Sequence, residues 1–225
     1  MNYLLPFIVL FLITTHTHAQ EYAVYLHGLN ANIKSASYAP YFEHLQKTYS
    51  LTTPLLPGHR QAHQLPELNQ QSTQQFFDQL LKLTHPKKQQ TTIFAHSMGG
   101  ILLRNYVNKS ERKKFKKIIY LSPGAPPKYY SFLKLLIKLL PSHWEIPSYS
   151  PKNLRLNDAL PVSAYDFLFK EVNKFINNKD LLPNEHIQVH EQDEVVDTQT
   201  LKEHFNQTEL IKTKSSYPFH VYFLK

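Results

Sequence analysis

The stretch Thr91–Gly100, T-T-I-F-A-H-S-M-G-G, constrains the chain more than any other. Its first half, Thr91–Ala95, is β-branched and aromatic, the composition of a short buried strand. A small residue, a polar pair and two glycines follow, the punctuation of an abrupt turn. From Met98 onward, Ile101, Leu102, Leu103, Tyr106 and Val107 form a broad apolar face that predicts a helix. Where a strand turns sharply into a helix, the side chain at the turn points away from both, so the hydroxyl of Ser97 is expected to stand free above the sheet edge. Small residues at Ala95 and Gly99 let that turn close tightly. The first N–H groups of the helix lack intrahelical acceptors and sit at the positive end of its dipole. They suit the negative oxygen that forms when a serine attacks a carbonyl. A serine beside paired glycines is otherwise an ordinary turn or N-cap. The strand before Ser97 and the helical run after it give the motif its mechanical meaning.

The rest of the chain alternates around this turn. Tyr22–Leu26 reads as a strand that ends in His27-Gly28. Tyr38, Phe42, Leu45 and Tyr49 predict a covering helix over 38–49, and Ser50–Leu56 a second strand. Pro57-Gly58-His59-Arg60 then reads as a surface turn, with His59 and Arg60 able to border a pocket only if the turn faces one. Phe76, Phe77, Leu80, Leu81 and Leu83 predict a helix over 73–83, stopped by Pro86. Ile118–Leu121 is another buried-type strand, ended by S-P-G-A-P-P. Short strands between helical runs predict an α/β fold, a parallel sheet with helices on both faces.

Residues 127–183 interrupt the alternation, where a lid or substrate-binding cap would lie above the carboxyl ends of the strands. Phe132–Leu140 is nearly solid with Leu, Ile and Phe, broken by Lys134 and Lys138 on one side. Such a helix packs between core and cap or lies on a lipid surface. Leu133, Leu136 and Trp144 are candidate pocket or lid residues, together with His27. Phe167, Leu168, Val172, Phe175 and Ile176 predict a helix over 166–177. His186–Val189 then resumes the strands, followed by a helical stretch Val195–Phe205, a last strand Glu209–Lys212 and a loop that reaches His220.

Two features bear on location and partners. Leu4–Ile13 is apolar and Thr17-His18-Ala19 has the small-x-small form of a cleavage site, so residues 1–19 read as a secretory signal. Its removal implies a secreted or periplasmic protein, with an uncleaved anchor as the alternative, and leaves residues 20–225 as one domain. There is no cysteine, so packing alone must hold the fold. The formal net charge is +8, with a dense basic run at Arg112–Lys117 that reads as a solvated face and can also meet an anionic membrane surface. No motif supports nucleic-acid binding. Thirteen histidines are scattered without H-E-x-x-H or another compact ligand set, so no metal or cofactor is expected.

The segment A-H-S-M-G resembles the G-x-S-x-G nucleophile elbow of the α/β-hydrolase superfamily, in the A-x-S-x-G form found among bacterial lipases and carboxylesterases. His27-Gly28 resembles that family's oxyanion loop, L-P-G-H-R its L-P-G-H-G segment, and I-Q-V-H-E-Q-D-E-V-V-D its acid segment G-x-x-D-x-V-V. The resemblance implies an α/β-hydrolase fold with a minimal, mostly parallel sheet of about six strands, helices on both faces and a cap at 127–183. No room for antiparallel edge strands exists before Tyr22, and residues 221–225 are too few for a helix after His220. The resemblance further implies Ser97 as nucleophile, Asp193 as acid and His220 as base, with the N–H groups of Leu29 and Met98 as oxyanion hole. Asp197 competes with Asp193 but, as part of the helical stretch Val195–Phe205, is expected to face solvent or cap that helix. The chain order Ser, Asp, His is the one expected of this family. The implied activity is cleavage of carboxylic ester bonds in acyl esters or lipids through an acyl-enzyme. A thioesterase or acyltransferase would use the same triad, and a non-catalytic binding protein the same scaffold.

Overall fold

The structure is a computed structural model that describes residues 21–62, 64–148 and 150–212. The expected signal segment and the loop carrying His220 lie outside the described residues. In chain order the elements are β1 (Glu21–Leu26), α1 (Ala39–Gln46), β2 (Tyr49–Thr52), α2 (Gln70–Thr84), β3 (Thr91–His96), α3 (Met98–Tyr106) and α4 (Lys109–Arg112). They continue with β4 (Lys117–Leu121), α5 (Tyr130–Leu139), β5 (Glu145–Pro147), β6 (Ala159–Pro161), α6 (Val162–Asn177), β7 (Glu185–His190), α7 (Thr198–His204) and β8 (Thr208–Ile211).

Six strands form one sheet in the order β2-β1-β3-β4-β7-β8, and each pairing in it is parallel. The period of two along each strand divides the core into two layers. Val24, Leu26, Ile93, Ala95, Ile118, Tyr120, Ile187 and Val189 pack on one face against side chains of α2, α3, α6 and α7. Ala23, Tyr25, Phe94, Ile119 and Leu121 pack on the other, against Tyr41 and Leu45 of α1 and Tyr38 before it. β3, at the centre of the sheet, is buried along its whole length on both faces. The sheet and its flanking helices match the expected α/β architecture.

Local chemistry explains where the elements differ from their expected bounds. The helix expected over 38–49 is shortened to α1 because Pro40 fits only its first turn and Tyr49 already belongs to β2. β2 is an edge strand and stops at Thr52, before Pro54, which has no N–H to offer a ladder. α2 begins on a capping box between Asn69 and Ser72 and buries Thr73, Phe77, Leu80 and Thr84 on one face. The run Arg112–Lys117 is not one solvated face. Arg112 and Phe115 are buried, while Lys113, Lys114 and Lys116 are exposed.

Arg112 turns inward because Glu185 is there to meet it. Glu185, fully buried at the start of β7, receives Arg112 Nε at 2.6 Å and Arg104 Nη1 at 3.2 Å. The Tyr120 hydroxyl donates to the same carboxylate at 2.8 Å and the Leu182 N–H at 2.9 Å. Between β4 and β7 lie α5, a small antiparallel pair β5–β6 and α6, and α6 packs on the sheet core through Val172 and Phe175, so part of the region expected as a cap covers the sheet. α5 rests on α6 through Ile137, Phe169 and Val162. Among the described residues no helix is long and apolar enough to cross a membrane.

Candidate active site

Ser97 sits between β3 and α3 with φ 50° and ψ −120°, a conformation that a residue bearing a Cβ adopts only when its surroundings impose it. Its N–H donates to the Leu121 carbonyl at 2.9 Å, which ties the turn to β4. Behind it α3 packs directly on the end of β1. A Cβ at Gly99 would lie 2.7 Å from the His27 carbonyl oxygen and 2.8 Å from that of Leu26, so only glycine fits there. Two loops close on the serine from other sides. A Cβ at Gly28 would lie 3.0 Å from the Ser97 Cβ, and one at Gly124 3.2 Å from its Oγ.

The loop after β1 brings Leu29 beside Ser97, and both line a small recess of about 60 Å³ with Gly28 and His96. Met98, whose N–H opens α3, is buried next to the serine in sequence. His27 is not among the residues lining the cleft or the recess beside Ser97. It is fully buried and braces the backbone: Nδ1–H donates to the Gly28 carbonyl at 2.9 Å, and Nε2 accepts from the Leu56 N–H at 3.0 Å. His59 is likewise no surface residue. Its Nδ1–H donates to the Pro57 carbonyl at 2.9 Å and its Nε2 accepts from the Asn30 N–H at 3.0 Å. Both rings are therefore neutral in one tautomer. Burial, reinforced by the neighbouring His59, lowers His27 to about 3; burial lowers His59 to about 4 against the opposing pull of its backbone hydrogen bonds.

Asn30, next along the loop, was not legible as a site residue. It is buried in a left-handed conformation, φ 59°, which Asn tolerates better than other side chains. Its carboxamide Nδ2 donates to Ser148 Oγ at 2.9 Å and the Asn157 carbonyl at 2.8 Å. Its Oδ1 accepts from the Asn157 N–H at 2.8 Å and from Asn157 Nδ2 at 3.0 Å. One side chain thus fastens the loop beside Ser97 to the foot of the cap.

Asp193 lies in the loop after β7, fully buried. Its Oδ1 accepts the N–H groups of Val195 and Val196, both at 2.8 Å, which fixes the carboxylate and offsets the cost of burying it. That loop is stitched to the one after β4: Lys128 N–H donates to the Val195 carbonyl at 2.8 Å and Lys128 Nζ to the Asp193 carbonyl at 2.5 Å. Asp197 is the N-cap of α7, accepting from the Thr200 N–H at 3.1 Å, so capping is its work. The cap also shortens the helix expected over 195–205 to Thr198–His204.

The serine opens into a cleft of about 510 Å³ lined largely by the cap. Leu133, Leu136 and Ile137 of α5 and Tyr165, Leu168 and Phe169 of α6 form apolar walls, while Glu194 and Val195 bring the acid loop to the same cavity. Leu133 and Leu136, the candidate pocket or lid residues, are among the residues lining this cleft. Trp144 is about half exposed on the cap and is not among the cleft's lining residues. Among the described residues no cluster of three or more His, Cys, Asp or Glu is arranged to hold a metal ion.

The sequence matches the α/β hydrolase fold family over residues 24–145. No curated protein matches it. Solved structures resemble it in fold. A structure of the metagenome-derived lipolytic enzymes LipS and LipT superposes with a TM-score of 0.65 at 16% identity, covering 90% of this chain and 87% of that one. A soluble variant of monoglyceride lipase from Saccharomyces cerevisiae, in complex with a substrate analogue, gives 0.63 at 14% identity, covering 89% and 79%. The pyrethroid hydrolase PytH gives 0.51 at 12% identity, covering 90% and 91%. With the family match spanning more than half of its length and the sheet, elbow and flanking loops in their places, the chain belongs to the α/β-hydrolase family.

Proposed function

We propose that the protein is a serine hydrolase that cleaves carboxylic ester bonds of acyl esters or lipids. The observation that carries this reading is the strained backbone of Ser97 at the base of an apolar cleft. A turn held against its conformational preference in contact with a ligand-sized cavity points to function. Apolar walls from α5 and α6 favour an acyl chain over a polar substituent.

In this mechanism the Ser97 hydroxyl attacks the ester carbonyl while His220 accepts its proton. Asp193 holds the imidazole in the required tautomer and stabilises the imidazolium. The tetrahedral oxygen rests on the N–H groups of Leu29 and Met98, each such donor being worth about 3 kcal/mol. His220 then protonates the departing alcohol, and water repeats the sequence on the acyl-enzyme. The proposal includes export, with residues 1–19 removed as a signal.

The deciding experiment is labelling of the folded protein by a fluorophosphonate, followed by assay of short- and medium-chain esters. Labelling at Ser97, and loss of both labelling and hydrolysis in Ser97→Ala, is the expected result. An unlabelled serine in a folded chain, or an ester rate unchanged in that variant, removes Ser97 from the chemistry. Retention of an inert scaffold would then leave a binding role.

A further inference from the structure

α5 is apolar on two faces, and the fold uses only one. At 100° per residue, Tyr130, Leu133, Ile137 and Leu140 fall on one side, and these pack against α6. Phe132, Leu135, Leu136 and Leu139 fall on another, at i, i+3, i+4 and i+7. That second face is bare: Phe132 is 65% exposed, Leu135 58% and Leu139 73%. Tyr129 at one end of the helix and Trp144 beyond the other are also exposed, at 81% and 53%. Scattered exposed apolar residues are ordinary, but a contiguous stripe on one helix marks a contact surface.

The charges around the stripe select its partner. From Pro127 to Trp144 the sequence contains Lys128, Lys134 and Lys138 and no acidic residue; Glu145 is the first. Lys134 is turned to α6, where its Nζ donates to Asn173 Oδ1 at 3.3 Å, but Lys138 is exposed at the edge of the bare face, where its long stem can follow the apolar surface while the ammonium group reaches anionic headgroups. The exposed aromatic rings suit the headgroup boundary. A second copy of the chain fits less well, because it would bring the same lysines together on a protein already at +8. We infer that the outer face of α5 docks on an anionic lipid surface, with Phe132, Leu135 and Leu139 entering the headgroup layer and Lys138 pairing with its charge.

Leu133 and Leu136 of the same helix line the cleft, as does Tyr129, so docking sets the entrance of the Ser97 cavity beside the lipid. That consequence rests on the ester-hydrolase reading; the docking itself does not.

The test is co-sedimentation of the full chain with phosphatidylcholine vesicles, with and without about one-third phosphatidylglycerol, at low and high salt. The wild type is expected to bind the anionic vesicles and to weaken with salt. The variant Phe132→Ser/Leu135→Ser/Leu139→Ser should bind roughly tenfold or more weakly, since three exposed anchors are lost, and Lys138→Glu should lose the preference for anionic lipid. Circular dichroism checks that the variants fold. Hydrolysis of a short, water-soluble ester should be equal in wild type and the serine variant. Equal vesicle binding by the serine variant, equal binding to neutral vesicles, or a dimer abolished by the serines without vesicle binding would each overturn the inference. Vesicle binding without any ester hydrolysis would leave it standing and remove the catalytic reading instead.

Discussion

The backbone N–H of Asn30 donates to Nε2 of His59 across 3.0 Å, so the loop beside Ser97 depends on an imidazole that must remain unprotonated. His27 stands in the same position toward the Leu56 N–H, and the two rings meet edge to face with centroids 4.6 Å apart. A proton added to either ring would confront a backbone donor and a neighbouring imidazole.

The consequence is a defined acid limb of stability. Both histidines titrate near 6.5 when unfolded and near 3 and 4 when folded, so below about 6.5 the unfolded chain binds more protons. Their contribution is intact above that pH and is lost as pH falls toward the folded values. The slope contributed is about 1.4 kcal/mol per pH unit for each ring, once pH is well below the unfolded value. Denaturant unfolding measured from neutral pH to about 5 should show it. His59→Gln, which keeps an acceptor and removes the titration, should flatten the curve; an unchanged slope contradicts the assignment.

The Arg104–Glu185–Arg112 cluster yields a second expectation. Glu185→Gln leaves two buried guanidinium groups facing a neutral amide, and losing one partner of a buried ion cluster costs about 3–5 kcal/mol. Asp180→Asn, which breaks the exposed pair with Lys109, should change the unfolding midpoint very little. Comparable losses from both would mean that the buried cluster is no more important than a surface pair.

How much of this was legible in the sequence follows from the length of each signal. The change at Ser97 from a β-branched, aromatic run to a helical apolar face is strong, and β3 and α3 followed from it, while the parallel sheet followed from the alternation of short strands with helical runs. β5 and β6 are three residues each, too short to carry a period, and went unseen. Pro57-Gly58-His59-Arg60 reads as a surface turn because turn chemistry is the same at the surface and beneath another loop. Only the tertiary packing of His27 over His59 distinguishes them. Arg112 was grouped with its lysine neighbours because its partner, Glu185, is far away in sequence. In Asn30 a faint signal existed: an Asn directly after a glycine-bearing loop is a natural left-handed residue.

The strain at Ser97 can be separated from its chemistry. Ser97→Ala removes the hydroxyl and keeps the backbone penalty, so its stability should stay near that of the wild type. Ser97→Gly removes both. Relief of about 1–3 kcal/mol of strain, less up to about 1 kcal/mol for the freer unfolded glycine, should leave that variant more stable by about 1 kcal/mol. Both variants should fail to hydrolyse esters. Equal stability in the two would show that φ 50° costs this fold no more than the roughly 1 kcal/mol that the freer unfolded glycine takes back.

Asn30 is the last link between cap and elbow, and its loss should be felt in two separable ways. Asn30→Gly keeps the left-handed backbone but leaves the buried Asn157 N–H and the Asn157 carbonyl without their partner, at a cost of about 2–3 kcal/mol. If the side chain only cements the fold, the variant assayed well below its unfolding temperature should hydrolyse a short ester at the wild-type rate. If it also holds Leu29 in register with Ser97, kcat should fall by about tenfold with little change in KM, because a loop displaced by a fraction of an ångström misplaces the oxyanion donor and not the bound acyl chain. The six hydrogen bonds that Asn30 makes, one from its N–H to His59, one at its carbonyl from the Leu156 N–H and four at its carboxamide, favour the second outcome. Steady-state kinetics on a series of water-soluble esters, paired with a melting curve on the same sample, distinguishes the two.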